Sequence, residues 1–138
     1  MVGFKVGCIW YEIGVASFLH SFFSTVAYNL ECGNWGTRFP VIMNELYQGK
    51  LANANVPNAK VELNTIENEL KNLSPDKAIW DIEELTKQPP WGNKISNQIT
   101  DLSNYFITSD GRDFLTIFQN ALDAAIEIKK DVIISSAV

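Results

Sequence analysis

The sequence is poor in the residue types that most metal and disulfide sites require. Its 138 residues contain two cysteines, Cys8 and Cys32, and one histidine, His20. Two cysteines without zinc spacing are too few for a disulfide framework or a tetrahedral metal site. We expect both to be small buried hydrophobes in a reducing compartment. The acids do not match a calcium loop either, so we expect no metal and no cofactor.

Catalytic motifs are also missing. The sequence has no Gly-x-Ser-x-Gly and no phosphate-binding glycine signature, and no nucleophile forms a recognisable pattern with His20. We therefore interpret His20 as a surface or structural histidine. Nothing in the spacing of the acids selects two of them as an acid–base pair. The candidates for such a pair are Asp76, Asp81, Glu83, Glu84 and Asp110. We expect a protein that is not an enzyme, without catalytic residues.

Positive charge is scarce. The chain has eleven lysines and arginines and sixteen aspartates and glutamates, which gives a formal charge of −5. Phosphate binding requires a basic surface, so we expect no direct contact with nucleic acid. No apolar run reaches the roughly 20 residues that span a bilayer, and the first residues lack the pattern of a signal peptide. We expect a cytoplasmic protein that does not bind membranes.

Apolar residues, in contrast, are abundant. Hydrophobic residues make up 46% of the chain, which is typical of a packed globule. A length of 138 residues suits one domain that spans the chain. Periodicity and turn residues predict the following elements. The first half of the chain has a strand or a tight strand pair at 3–13, helices at 16–31, 39–49 and 58–73, and a polar connection at 50–57. The second half has strands at 77–82 and 105–108, a turn at 109–112, a helix at 112–130, and a strand or tail at 132–134. The predicted fold class is α+β, with a small, mostly antiparallel sheet packed against about four helices.

The predicted elements also assign side chains to faces. The two-residue period of 3–13 places Phe4, Val6, Cys8, Trp10 and Glu12 on one face. The helix at 16–31 has a wide apolar stripe that is expected to cover the sheet, with Ser17 as a candidate N-cap. The buried residues expected of the later helices include Val61 and Ile126, and the acids expected to face solvent are Glu62, Glu67 and Glu69.

Negative charge is concentrated in the middle of the chain. Residues 62–84 contain seven acids and two lysines, while the rest of the chain has nine acids and nine bases. One interpretation is a solvated helix face followed by an ordinary strand; the other is an acidic docking surface for a basic partner. Trp91 follows two prolines in an irregular stretch, 89–92, and is either an interface anchor or folded back onto the core. Trp35 is either a lid over the core or an exposed contact.

Several segments together resemble a known family. They are 6–14 (Val-Gly-Cys-Ile-Trp-Tyr-Glu-Ile-Gly), 17–23 (Ser-Phe-Leu-His-Ser-Phe-Phe), 35–40 (Trp-Gly-Thr-Arg-Phe-Pro), 78–82 (Ala-Ile-Trp-Asp-Ile), 89–92 (Pro-Pro-Trp-Gly) and 105–111 (Tyr-Phe-Ile-Thr-Ser-Asp-Gly). The pattern, over about residues 3–130, is similar to the bacterial immunity proteins grouped as immunity protein 70. The resemblance implies a cytosolic, non-enzymatic inhibitor that binds the C-terminal domain of a secreted or contact-delivered polymorphic toxin. It carries over no catalytic or binding residues.

The charge pattern and this resemblance suggest a binding hypothesis. The cognate toxin domain is expected to be basic, with a nuclease as the expected chemistry, and an acidic protein can fill its phosphate-binding cleft. The residues expected to face the toxin are Asp76, Asp81, Glu83 and Glu84, with Trp91 and Trp35 as anchors. A cytosolic adaptor module would show the same features, and a small hydrolase with a carboxylate pair is a third possibility. The sequence leaves the oligomeric state open.

Overall fold

Four antiparallel strands and three α-helices form the computed structural model, which describes residues 1–91 and 94–136. The strands are β1 (Val2–Val6), β2 (Ile9–Gly14), β3 (Lys50–Leu51) and β4 (Val132–Ser136). The helices are α1 (Ala16–Leu30), α2 (Val56–Leu70) and α3 (Phe114–Ile128). The strand order is β2-β1-β4-β3, and every neighbouring pair is antiparallel. This confirms the predicted α+β class.

The first predicted strand region is a tight pair. Gly7 adopts a φ of 60° in the turn between β1 and β2, a conformation that glycine tolerates without steric cost. Because the chain reverses there, Phe4 pairs with Tyr11, and the single face predicted for 3–13 is wrong. Trp10 is exposed and lies over Gly3, where a Cβ would come within 2.6 Å of the indole and 2.4 Å of the Tyr11 carbonyl oxygen.

Strand β4 lies in the middle of the sheet. β4 pairs with β1 on one side and with β3 on the other, so the open choice between a strand and a tail is resolved as a strand. β3 falls in the predicted polar connection at 50–57. A strand of two residues is too short to show the alternation by which strands are recognised in sequence.

The predicted apolar stripe of α1 packs into the core. Its seven stripe residues are all buried: Phe18, Leu19, Phe22, Phe23, Val26, Ala27 and Leu30. Val15 rather than Ser17 occupies the N-cap position. Beyond the C-terminal end of α1, Cys32 adopts a left-handed backbone conformation with a φ of 53°. It is exposed, as is Cys8 in the β1–β2 turn, so the prediction of two buried cysteines is wrong. Both lie at turns, where the backbone bends away from the core.

α2 and α3 pack against each other through narrower stripes than predicted. In α2, Leu63, Ile66 and Leu70 are buried, whereas Val61 is 67% exposed. Val61 lies two residues before Leu63, which places it on the far side of a helix with 3.6 residues per turn. Ile126 in α3 is also exposed, at 42%. The predicted burial of Val61 and Ile126 is therefore wrong.

The predicted short helix at 39–49 is a π-helical turn, Val41–Glu45, followed by a 3-10 turn, Leu46–Gln48. Its first amides are bound by a side chain from α2. The Glu62 carboxylate accepts from the Val41 N–H at 3.1 Å and from the Ile42 N–H at 2.8 Å. Glu62 therefore caps this turn, and the prediction that it faces solvent is wrong.

The region between α2 and α3 is largely irregular. Residues 105–108, predicted as a strand, form an isolated bridge between Ile107 and Asp113. The turn predicted at 109–112 is present, with Gly111 at a φ of 84° donating to the Thr108 carbonyl at 2.9 Å. Pro89 and Pro90 lie in an irregular stretch, as predicted, whereas the Gly92 part of that prediction lies outside the described residues.

Candidate functional site

Residues 77–82 lie along α1 instead of joining the sheet. Residues 77–82 are irregular apart from the short 3-10 turn Pro75–Lys77 that leads into them. The Thr25 hydroxyl oxygen accepts from the Ile79 N–H at 3.0 Å, and the Ser21 hydroxyl donates to the Ile79 carbonyl at 2.8 Å. The Ser24 hydroxyl accepts from the Ile82 N–H at 3.2 Å. The predicted strand at 77–82 is therefore wrong, because buried hydroxyls of α1 satisfy backbone groups that a strand would pair with a neighbour. We call residues 77–82 the strap.

Asp81 attaches the strap to α1 through a histidine. His20 Nε2 lies 3.3 Å from Asp81 Oδ1, and His20 Nδ1 lies 3.1 Å from the Tyr47 hydroxyl oxygen. The pKa of Asp81 is lowered, first by the hydrogen bond from the Glu83 amide and then by His20. Because an ionised carboxylate only accepts, a neutral His20 donates from Nε2, and its Nδ1 then accepts from the Tyr47 hydroxyl. The three side chains form a chain of hydrogen bonds from Tyr47 to Asp81.

Trp35 completes an aromatic wall around His20. Its ring stacks on His20 with centroids 6.2 Å apart and meets Tyr47 edge to face at 4.8 Å. Trp35 Nε1 donates to the Met43 carbonyl at 2.6 Å, and its ring also stacks against Phe23 of the core. Trp35 is thus a half-buried lid over the core that borders the Asp81 region.

Glu83 and Glu84 extend the negative charge from Asp81 to solvent, and both are exposed. Lys87 Nζ lies 3.2 Å from Glu84 Oε2 and 3.8 Å from Asp81 Oδ2. The pKa of Tyr47 is raised, first by burial and then by the charges of Glu83 and Asp81. The negative potential of these carboxylates therefore reaches the Tyr47 phenol. We call Asp81, Glu83 and Glu84 the acidic rim.

Asp76 lies apart from the acidic rim. It accepts from the Ser74 hydroxyl beside the 3-10 turn Pro75–Lys77, and Asn29 donates to the Lys77 carbonyl at 2.9 Å. Asn29 and His20 are separated by roughly 14 Å along the axis of α1, at 1.5 Å per residue. The structure brings Asp81, Glu83 and Glu84 together, whereas Asp76 precedes the strap at its other end.

Part of the central acidic charge stabilises the fold. Arg38 donates to both carboxylate oxygens of Glu69, at 2.7 and 2.5 Å, and this pairing lowers the pKa of Glu69. Together with the capping role of Glu62, this removes two of the seven acids from a docking surface. Of the five acids that remain, three form the acidic rim, where Lys87 is the neighbouring base.

Trp91 packs back toward the core, which agrees with one of its two interpretations. Its Nε1 donates to the Tyr105 hydroxyl oxygen at 2.9 Å, and its ring meets Trp80 edge to face at 5.6 Å. It lines an apolar groove of about 250 Å³ together with Phe18 and Ile107. Trp80 immediately precedes Asp81 in the strap. Trp91 therefore lies next to the acidic rim through its contact with Trp80.

The sequence did not reveal that His20 and Tyr47 lie next to Asp81. A signal was present in α1, where Ser21, Ser24 and Thr25 lie among the phenylalanines of the apolar stripe. Buried hydroxyls need hydrogen-bond partners, and these three are almost completely buried. Their position indicated that a polar backbone segment would pack against that part of the helix.

Three further features of the described residues concern chemistry. No group of three or more histidine, cysteine, aspartate or glutamate side chains within 1–91 and 94–136 could hold a metal ion. Within the same ranges, no helix is both long enough and apolar enough to cross a bilayer. Four grooves in this part of the chain, including those beside Trp91 and His20, have no carboxylate in their walls.

The fold and this surface define a class: a small α+β protein that presents acidic and aromatic side chains on an irregular strap. The family model described as Immunity protein 70 matches residues 4–134. The chain belongs to the immunity protein 70 family, as its sequence motifs predicted. It is thus an immunity protein, and membership of the family implies binding of a cognate toxin protein. No curated protein and no solved structure matched the chain.

Proposed function

We propose that this protein binds the C-terminal domain of a cognate bacterial toxin in the cytoplasm and neutralises it without catalysis. In this proposal, the bound protein occludes the active or substrate-binding surface of the toxin. The observation that carries the proposal is the family match over residues 4–134.

The proposed binding surface centres on the acidic rim and Trp35. Glu83 and Glu84 are exposed, and Asp81 is oriented by His20. A carboxylate that is already held in place loses less conformational entropy when a partner binds. Asp76 precedes the strap and Trp91 contacts Trp80 within it, so we propose that both contact the periphery of the toxin. Trp35, half-buried against Tyr47, offers a preformed aromatic surface.

The charge supports a basic toxin, and we propose a nuclease. The protein has a formal charge of −5, and the acidic rim holds three carboxylates beside one lysine. A nuclease must attract phosphate, so its cleft is positively charged and complementary to such a surface. Complementary charge accelerates encounter and selects the correct partner.

A small hydrolase with a carboxylate pair is the enzymatic alternative. Such a site calls for a polar pocket that contains two acids with perturbed pKa values. The four grooves noted above have no carboxylate in their walls. This observation favours binding over acid–base catalysis.

Co-expression with the toxin domain encoded directly upstream tests the proposal. We expect that inducing the toxin domain alone stops growth, that co-expression restores growth, and that the two proteins co-purify. Co-purification at low and high salt tests the mechanism, because an acidic interface weakens as salt screens it. If growth is not restored and no complex forms, the result would instead favour a cytosolic adaptor module.

A further inference from the structure

An apolar groove of about 280 Å³ opens beside the acidic rim, between the first turns of α1 and strands β1 and β4. Its floor is formed by Val2, Leu19, Phe23 and Ile134. Leu19 and Phe23 are buried members of the core, so the floor is supported from below. The groove is therefore a fixed feature of the packed helix and sheet.

The wall of the groove that faces the acidic rim is polar. His20 and Tyr47 line it, and the side chain of Tyr47 is 40% exposed. The Tyr47 hydroxyl lies 3.1 Å from His20 Nδ1. Whichever of the two groups donates, the Tyr47 oxygen retains a lone pair that can accept from a bound group. Asp81 hydrogen-bonds the other nitrogen of the same imidazole ring. The Tyr47 oxygen and the Asp81 carboxylate thus flank one end of the apolar groove.

Charge and shape together select a class of occupant. The apolar floor favours an aliphatic stem, and the carboxylates of Asp81 and Glu83 favour a cationic end. Arginine combines the two, because its methylene groups pack on apolar surface while its charged end reaches a polar boundary. Its planar guanidinium also stacks on aromatic faces and donates several hydrogen bonds, whereas lysine presents a compact, strongly hydrated ammonium.

We propose that this groove takes one arginine side chain of the cognate toxin. The stem of the arginine lies on the floor formed by Leu19 and Phe23, and the guanidinium reaches the Tyr47 oxygen and the acidic rim. This inference rests on the proposed function and specifies the chemistry of the toxin residue at the centre of the interface.

Filling the groove tests the proposal. Ala16 is an exposed residue in the wall of the groove, and Ser17 is its exposed neighbour outside that wall. In calorimetric titrations with the upstream toxin domain, Ala16→Trp should weaken binding by about 30-fold, as expected for loss of a hot spot of 2 kcal/mol. Ser17→Trp should change it by less than about twofold. Glu83→Gln, at an exposed position, provides a second variant if Ala16→Trp does not fold.

A double-mutant cycle identifies the occupant. Each arginine and lysine of the toxin domain is replaced by alanine and titrated against the wild-type protein and Ala16→Trp. We expect one arginine whose removal makes Ala16→Trp nearly neutral. Coupling to a lysine alone, coupling to no basic residue, or full affinity of both Ala16→Trp and Glu83→Gln would each overturn the inference. Absence of binding by the wild-type protein would instead refute the proposed function.

Discussion

At the residue scale, some carboxylates serve the fold by binding backbone amides. Glu31 is 2% exposed and accepts from the amides of Gly36, Arg38 and Phe39 at 2.9–3.1 Å. Glu62 caps the π-helical turn in the same way. Composition counts all acids equally, so only their hydrogen-bond partners show which ones are available to a toxin.

Glu31→Gln should destabilise the fold. The substitution replaces one accepting oxygen with an amide that points donors at backbone N–H groups, leaving at least one buried donor unsatisfied. We expect a loss of about 1–3 kcal/mol in the free energy of unfolding, measured in urea. Glu127→Gln, at an exposed position of α3, is the control and should change it by less than about 0.5 kcal/mol. Equal stabilities of the two variants would contradict this role of Glu31.

Glu62 should make stability depend on pH. Its pKa is raised above its ordinary value of 4.5, chiefly because burial outweighs the hydrogen bonds from Ile42 and Val41. A carboxyl with a raised pKa binds its proton more tightly when folded, so its contribution to stability decreases as the pH rises through the folded pKa. Glu62→Gln cannot titrate. The stability of the wild-type protein relative to Glu62→Gln should therefore fall from pH 4.5 toward neutrality, and a rising difference would contradict the prediction.

At the element scale, the strap depends on α1 rather than on the sheet. Hydroxyls of Ser21, Ser24 and Thr25 bind its backbone, and His20 binds Asp81. A helix normally satisfies its own backbone and leaves such hydroxyls to bond locally or to solvent. Here the hydroxyls substitute for a neighbouring strand, and in doing so they position the acidic rim.

Thr25→Val should loosen the strap. The substitution keeps the shape of the side chain but removes the oxygen that accepts from the Ile79 N–H. We expect a loss of about 1–3 kcal/mol in stability and faster hydrogen exchange of the Ile79 amide. Thr65→Val on α2 is the matched control, because the Thr65 hydroxyl donates to the Val61 carbonyl of its own helix. Unchanged exchange at Ile79 in Thr25→Val would refute the role assigned to Thr25.

At the scale of the whole molecule, the net charge of −5 is expected to act through its distribution. Glu69 pairs with Arg38, and Glu62 caps backbone amides. The acidic rim, in contrast, lies on the surface beside the aromatic wall around His20. Long-range charge steers encounter, and a groove next to that charge sets which side chain is accepted. The proposed specificity therefore combines the acidic rim with the shape of the neighbouring groove.

Neutralising the predicted contact acids should weaken toxin binding and reduce its dependence on salt. The fourfold variant replaces Asp76, Asp81, Glu83 and Glu84 by asparagine or glutamine. Its control removes the same charge elsewhere, at Glu12, Asp110, Asp123 and Glu127. Affinity measured from low to high salt should show a flatter slope for the first variant than for the control. Unchanged affinity of the first variant at low salt would exclude the acidic contact.

Features with local signals could be predicted from the sequence alone. The apolar stripe of α1, the turn at Gly111, the α+β class and the concentration of acids all follow from residues close together in the chain. The family motifs were also visible without the structure, and they extend over most of the chain.

Features that depend on partners far apart in sequence could be seen only in the folded protein. Thr25 and Ile79 are 54 residues apart, so alternation within 77–82 could not show that helix hydroxyls replace a strand partner. The central place of β4, the capping role of Glu62 and the chain of hydrogen bonds from Tyr47 through His20 to Asp81 arise in the same way. Periodicity records which side of an element is apolar, whereas a hydrogen bond requires two groups that only folding brings together.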